Sequence, residues 1–142
     1  MKNEIRIAAD TIALFCRLQM VLKKNLPIRS SEMGVLIFVH QQDHPVTPLM
    51  VSHFFQMAKP SVTTIINELV KKEYLTKNIS HEDRRSYFIS LTNKGSDLVD
   101  KTHKEYFRMI ELLRDELGEI DFACLIELLE RSNQVLSMER SK

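Results

Sequence analysis

Histidines, cysteines and clustered acids are where a chain of 142 residues would do covalent or metal chemistry, and here they come together in two short stretches only. His40 and His44 stand four apart with Asp43 beside them, a spacing able to chelate a metal. Two histidines at a helix C-terminus are equally explained by the helix dipole. His53, His81 and His103 are scattered, so no metal site is expected. His81-Glu82-Asp83 is an acid–base trio, but it falls on a polar turn with no pocket in prospect. Cys16 lies among Leu14, Phe15 and Leu18 with no His or basic cluster to lower its pKa, and Cys124, next to Ala123 and Leu125, reads as core. Two cysteines make no disulfide framework and suit a reducing cytosol. HExxH, GxSxG, a P-loop and a glycine-rich dinucleotide turn are all missing from the sequence. The expectation is a protein that is no enzyme and carries no cofactor.

Charge distribution is a weaker signal, and surface lysine clusters are common. The net charge of +1 hides a partition. Residues 1–44 hold six Lys/Arg against four Asp/Glu, 45–95 seven against four, and 96–142 seven against eleven, leaving +2, +3 and −4. The cations of the middle third are Lys59, Lys71, Lys72, Lys77, the pair Arg84-Arg85, and Lys94. A near-neutral chain that gathers cations in one segment can bind a polyanion locally, because salt screens exposed charges beyond roughly 8–10 Å. The acidic last third must then face elsewhere.

The elements that would position these cations follow from apolar periodicity. Residues 3–25 read as a helix through Ile5, Ala8, Ala9, Ile12, Phe15, Cys16 and Met20, ended by Leu26-Pro27. Ser30 is the N-cap candidate for a second helix over 31–42, with Glu32 in its first turn and Met33, Leu36, Ile37 and Val39 inward. Pro45 and Pro48 bracket Val46-Thr47, at best an extended dipeptide. A short helix over 48–56 should pack Met50, Val51, Phe54 and Phe55. Over 59–72, Val62, Ile65, Ile66, Leu69 and Val70 form one apolar stripe. The opposite face carries Lys59, Ser61, Thr63, Thr64, Asn67 and Lys71, all able to donate hydrogen bonds. Ala58 is a poor cap, so this helix start should depend on tertiary packing.

The period then changes to two. Residues 74–79 and 86–91 read as a strand hairpin, with a polar tip over 80–85. Thr92 or Asn93 can cap a long helix to about 117, ended by Gly118, and a last helix covers 120–137. Short helices followed by such a hairpin make a winged helix-turn-helix, mainly α with a small β component. A 25-residue helix spans ~37 Å, well beyond the ~15 Å radius of gyration of a compact chain this size. The terminal helices should therefore overhang the winged part and expose apolar stripes, which a second copy in two-fold symmetry would cover. No uncharged run approaches the ~20 residues of a membrane helix, and nothing at the N-terminus resembles a signal peptide. The expected setting is cytoplasmic, without membrane.

Over nearly its whole length the sequence resembles the MarR family of bacterial transcriptional regulators. Asp83-Arg84-Arg85-Ser86-Tyr87-Phe88-Ile89-Ser90-Leu91-Thr92-Asn93-Lys94-Gly95 looks like the wing signature of that family, D-x-R, five residues, L-T and a Gly. Lys59-Pro60-Ser61-Val62-Thr63 with Leu69 is similar to its recognition helix. In places the sequence departs from the pattern: Val51-Ser52 stands for a frequent Leu-Ala, Glu73 for the Gly before the first wing strand, and Thr64 and Lys77 for frequent Arg.

The resemblance implies one MarR-type domain over 1–142. Its winged DNA-binding lobe would cover 30–94, and its dimerisation lobe 1–28 and 95–142. It implies a homodimer on double-stranded DNA at a palindromic operator, usually acting as a repressor. Ser61, Thr63, Thr64 and Asn67 would reach base edges from the major groove, with Lys59 and Lys71 near phosphates. Arg85 would enter the minor groove, Arg84 would contact phosphate or the other side of the loop, and Asp83 would hold the Arg85 guanidinium across the turn, form the turn itself as an Asx residue, or do both. A small amphipathic or aromatic effector would sit in a crevice lined by Ile12, Phe15, Leu36 and Tyr106. The alternative is a winged helix used as a protein-interaction module without DNA reading.

Overall fold

A computed structural model describes residues 2–23, 25–80, 82 and 86–142. The order is α1 (Lys2–Leu22), α2 (Ser30–Gln41), α3 (Pro48–Phe55), α4 (Lys59–Lys71), β1 (Leu75–Ile79), β2 (Tyr87–Leu91), α5 (Asn93–Leu117) and α6 (Glu119–Arg140). Among the described residues the fold is mainly α with one two-stranded antiparallel sheet, as the periodicity implies. Two compact units, Met1–Tyr106 and Phe107–Lys142, divide the chain.

The core of the first unit is built around α2. Every residue from Glu32 to Val39 is buried, so the middle of this helix is enclosed on all sides while its two ends reach the surface. Val46, Val51, Val62, Ile66, Leu69, Leu75, Ile89 and Val99 complete the core. The expected cap on α2 is wrong. Ser30 is already helical and Arg29 is the N-cap, because the Glu32 carboxylate accepts the Arg29 backbone N–H at 3.2 Å. Only this half of a capping box can form, since a guanidinium accepts nothing.

In α3, Thr47 Oγ1 caps the helix by accepting from Met50 N, and Pro48 occupies the first turn where its missing N–H costs nothing. Ser52 Oγ donates to Met57 O at 2.7 Å, tying α3 to the turn that enters α4. Phe54 does not pack inward as expected: it is 63% exposed, with its ring 4.5 Å from that of Phe38. An eight-residue helix has one buried face, and Val51 at its centre occupies it.

The hairpin register pairs Leu75 with Leu91 and Ile79 with Tyr87. Val46 is more than an extended residue. It bridges Ile89, whose N–H donates to Val46 O at 2.8 Å, and so adds a one-residue third strand that anchors the wing to the α2–α3 loop. The wing's far end is fixed at α5. Thr92 Oγ1 accepts from Gly95 N and donates to Glu73 O, which makes Thr92 the capping residue. A Cβ on Gly95 would lie 2.2 Å from the Tyr74 carbonyl oxygen, so only glycine allows this approach.

Both terminal helices, α1 and α6, lack any buried residue. Ile5, Ile12, Leu14, Leu18 and Met20 of α1 are exposed, as are Ile120, Leu128, Val135 and Leu136 of α6. Cys124 shares this exposure and is not core. Sequence alone suggested core because its neighbours are apolar, yet α6 has apolar residues on more faces than its own chain covers.

Candidate nucleic-acid interface

The surface suited to a duplex is built on α4. Val62, Ile65, Ile66 and Leu69 are buried, and the helix is thereby locked with Lys59, Ser61, Thr63, Thr64, Asn67 and Lys71 outward and exposed. No side chain caps its start at Ala58, so its entry is held by packing and by the Ser52 bond, in line with the poor cap expected there. The two threonine hydroxyls are not free donors as the sequence suggested. Thr63 Oγ1 donates to Lys59 O and Thr64 Oγ1 to Pro60 O, each at 3.0 Å. Their outward chemistry is a lone pair and a methyl group.

The wing strands stand beside this face. Lys77 of β1 donates from Nζ to Asn67 Oδ1 at 2.6 Å, and the same ammonium lies 4.8 Å from the centre of the Tyr87 ring. The sequence shows Lys77 as a cation of this segment but not its contact with Asn67, because a strand residue ten positions away gives no periodic signal. Partial burial pushes the Tyr87 hydroxyl pKa above its ordinary value. Thr47, Lys59, Val62, Thr63, Ser86 and Tyr87 help line a cavity of about 450 Å³ between the starts of α3 and α4 and the wing. Asp83, Arg84 and Arg85, the expected tip residues, lie outside the described residues, as does His81.

A second feature absent from the sequence reading sits behind α4. Glu32, with no accessible surface, accepts from Lys72 Nζ at 3.0 and 3.3 Å and from Arg29 Nε at 3.1 Å. Burial pushes its carboxyl up, but the hydrogen bonds from Lys72 and Arg29 and the Lys72 charge outweigh it and hold the pKa below the ordinary 4.5. Lys72 caps the C-terminus of α4, so this ion pair pins the end of that helix to the start of α2. Lys94 Nζ adds a bond to Lys72 O at 2.8 Å.

The family model for transcriptional regulators of the SarA/Rot type matches residues 17–102, more than half of the chain. The chain belongs to the SarA/Rot family. The matched stretch runs from α1 through the helix-turn-helix and wing into α5. A curated relative, the HTH-type transcriptional regulator MhqR of Bacillus subtilis, is 27% identical over 105 residues, 73% of this chain and 71% of that protein. Among solved structures, Streptococcus pneumoniae FabT in complex with DNA is 28% identical, with a TM-score of 0.72 over 94% of this chain and 97% of that one. The S. aureus MepR–DNA complex is 18% identical, and its TM-score of 0.84 over 92% of this chain and 97% of that one shows the shared fold. This SarA/Rot chain is thus a transcriptional regulator with a MarR-type winged helix.

The residues expected to line an effector crevice are placed differently from one another in the SarA/Rot chain. Leu36 is fully buried in the core, Ile12 is 62% exposed, and Phe15 and Tyr106 are half-buried. Lys23 stands 4.5 Å over the Tyr106 ring, and burial lowers its pKa while raising that of Tyr106. Tyr106 reaches α2 at Gly34, where an added Cβ would lie 3.2 Å from the Tyr106 oxygen. His40 Nε2 lies 4.0 Å from Asp100 Oδ1, and His44 Nδ1 lies 3.2 Å from Pro45 O. Among the described residues no three His, Cys, Asp or Glu groups gather as a metal site. Cys16 is exposed on α1, and no described helix is long and apolar enough to cross a membrane.

Proposed function

We propose that this regulator binds a palindromic operator sequence-specifically as a homodimer, as a ligand-responsive repressor working in the cytoplasm beside the chromosome. The observation that carries the reading is the two-sided α4: an aliphatic stripe sunk in the core opposite exposed Lys59, Ser61, Thr63, Thr64, Asn67 and Lys71. A helix of this kind next to a wing fits a major groove, with its amide and hydroxyl groups at base edges and its lysines at phosphates. Arg84 and Arg85 would follow the adjacent backbone and minor groove, supported by Asp83. Residues 30–94 form the reading lobe in this view, while 1–28 and 95–142 join the two subunits through the apolar faces that α1 and α6 leave exposed. An amphipathic or aromatic effector would act near Ile12, Phe15, Leu36 and Tyr106, where α1, α2 and α5 would carry the coupling between subunit contact and reading head.

Selection of bound duplexes from random DNA, followed by titration across salt, tests the proposal. The expected result is a two-fold symmetric site, with log K falling by ~0.9 per phosphate neutralised for each unit of log salt. Arg85→Ala should weaken binding to that site by ~1–3 kcal/mol and leave the dimer intact. A salt-insensitive protein that selects no duplex, or equal affinity for wild type and Arg85→Ala, counts against it.

A further inference from the structure

Lys77 joins three elements at one ammonium. It projects from β1, donates to Asn67 Oδ1 on α4 at 2.6 Å, and lies 4.8 Å from the Tyr87 ring of β2. The ladder pairs Lys77 with Ile89 and Ile79 with Tyr87, so Tyr87 is the diagonal neighbour across the strands, within reach of a long side chain. The ring and the amide together hold the lysine against α4 rather than leaving it to swing in solvent.

This contact settles which way Asn67 points. An ammonium donates and never accepts, so the amide oxygen must face Lys77 and the NH₂ group must face away. An unrestrained asparagine amide on an exposed helix face can present either end. Held by Lys77, Asn67 presents two N–H donors outward, next to the lone pairs of the Thr63 and Thr64 hydroxyls, whose own protons are used on the helix backbone.

We infer that Lys77 is a positioning residue that turns Asn67 into a fixed donor and so sets the base preference at one position of each half-site. The inference rests on the proposed reading of α4 as the base-contacting helix. The outward NH₂ matches the acceptors of the major groove: N7 of a purine, O6 of guanine, O4 of thymine. It is mismatched by cytosine, which offers only the N4 amino donor there. Cytosine in the contacted strand is therefore the most disfavoured base at that position. Lys77 itself adds a positive charge that any nearby phosphate can share, but its distinctive contribution is directional.

The experiment uses the full chain and the duplex obtained by selection, with Kd measured for every single-base-pair variant of one half-site. Wild type, Asn67→Ala, Lys77→Met and Lys77→Arg are compared. Asn67→Ala should erase discrimination at one base pair, and Lys77→Met should reduce discrimination at that same base pair by about tenfold while sparing the others. Lys77→Arg should restore it, because a guanidinium is also donor-only. If Lys77→Met weakens all duplexes equally and lowers the salt slope by ~0.9, Lys77 is a phosphate contact. The positioning role is then overturned, with α4 still the reading helix. If Asn67→Ala changes no position, the inference also fails. Selection of no duplex by the wild type overturns the reading of α4 itself, and the inference with it.

Discussion

Two helices of the first unit, α2 and α1, are both rich in aliphatic residues and end in opposite circumstances. In α2, eight consecutive residues from Glu32 to Val39 are buried, and in the 21 residues of α1 none is. The difference lies in what interrupts the apolar residues. Within the buried run of α2 the one charge is Glu32, which carries its own counter-ions, whereas Lys2, Glu4, Arg6, Asp10 and Arg17 punctuate α1. The winged part therefore closes on itself, with α3, α4 and the wing packed on a helix whose eight central residues are all buried. The stability of α1 cannot come from its own chain in the same way. Its exposed isoleucines and leucines become useful only in contact with something else, which in the proposed homodimer is the second subunit.

The strongest test of that contrast pairs one residue from each region. Ile66 is fully buried on α4, and Ile66→Ala should cost about 3 kcal/mol of unfolding free energy, through lost transfer energy and a cavity, at any protein concentration. Ile12 is exposed on α1. Ile12→Glu should leave the head folded and raise the dimer dissociation constant by roughly tenfold or more, so its effect on unfolding depends on protein concentration. Denaturant titration at several concentrations, with sedimentation of each variant, separates the two. A concentration-independent loss from Ile12→Glu as large as that from Ile66→Ala would erase the distinction between regions.

A smaller effect should come from the charge inside α2. Glu32→Gln keeps the shape but loses the charge-assisted bonds to Lys72 and Arg29, which should cost about 2 kcal/mol at neutral pH. The carboxyl pKa is held below its ordinary 4.5 in the folded chain. The stabilisation from Glu32 is therefore complete above that ordinary value and is lost as pH falls through the folded pKa. The gap between wild type and Glu32→Gln should be constant at pH 6–8 and close on acidification below about 4.5. A gap that does not narrow in acid would show that Gln fails for steric reasons and that the ion pair contributes little.

Much of this molecule was readable from its sequence because its signals are local. The apolar stripe of α4, the change to period two at the wing, and the stop at Gly118 each lie within a few consecutive residues, and the element ends moved by at most three positions. The exposed polar face of α4 was legible as well, since one side of a helix is fixed once the other side is buried. What escaped was long-range. The Glu32–Lys72 pair joins residues 40 apart, the Val46–Ile89 bridge joins an interhelical loop to β2, and Lys77 meets Asn67 only after the chain turns into the wing. Exposure of Phe54 and Cys124 was missed for a related reason: an apolar residue reads as core until the coverage available on its helix is known. The wing-tip arginines rest on sequence resemblance, because Asp83, Arg84 and Arg85 fall outside the described residues.

The smallest effect concerns backbone strain, which also separates the two regions. Among the described residues other than glycine, positive φ occurs at Gln56 and Glu73, which flank α4 in the head, and nowhere on α1. Such conformations persist where surrounding contacts over-determine them. Glu73, at φ 66, stands where related wings carry glycine, and its carbonyl accepts from Thr92 Oγ1 at 2.6 Å while its N–H donates to Val70 O. Both bonds use the backbone, so glycine would keep them. Glu73→Gly relieves a left-handed cost of roughly 1–2 kcal/mol but adds about 0.5–1 kcal/mol of unfolded-chain entropy. The expected outcome is a net gain near 0.5 kcal/mol, seen as a higher denaturation midpoint with an unchanged slope. A lower midpoint would mean that the Glu73 side chain holds the α4–β1 junction, and that the head needs more than its backbone ties to keep α4 in place.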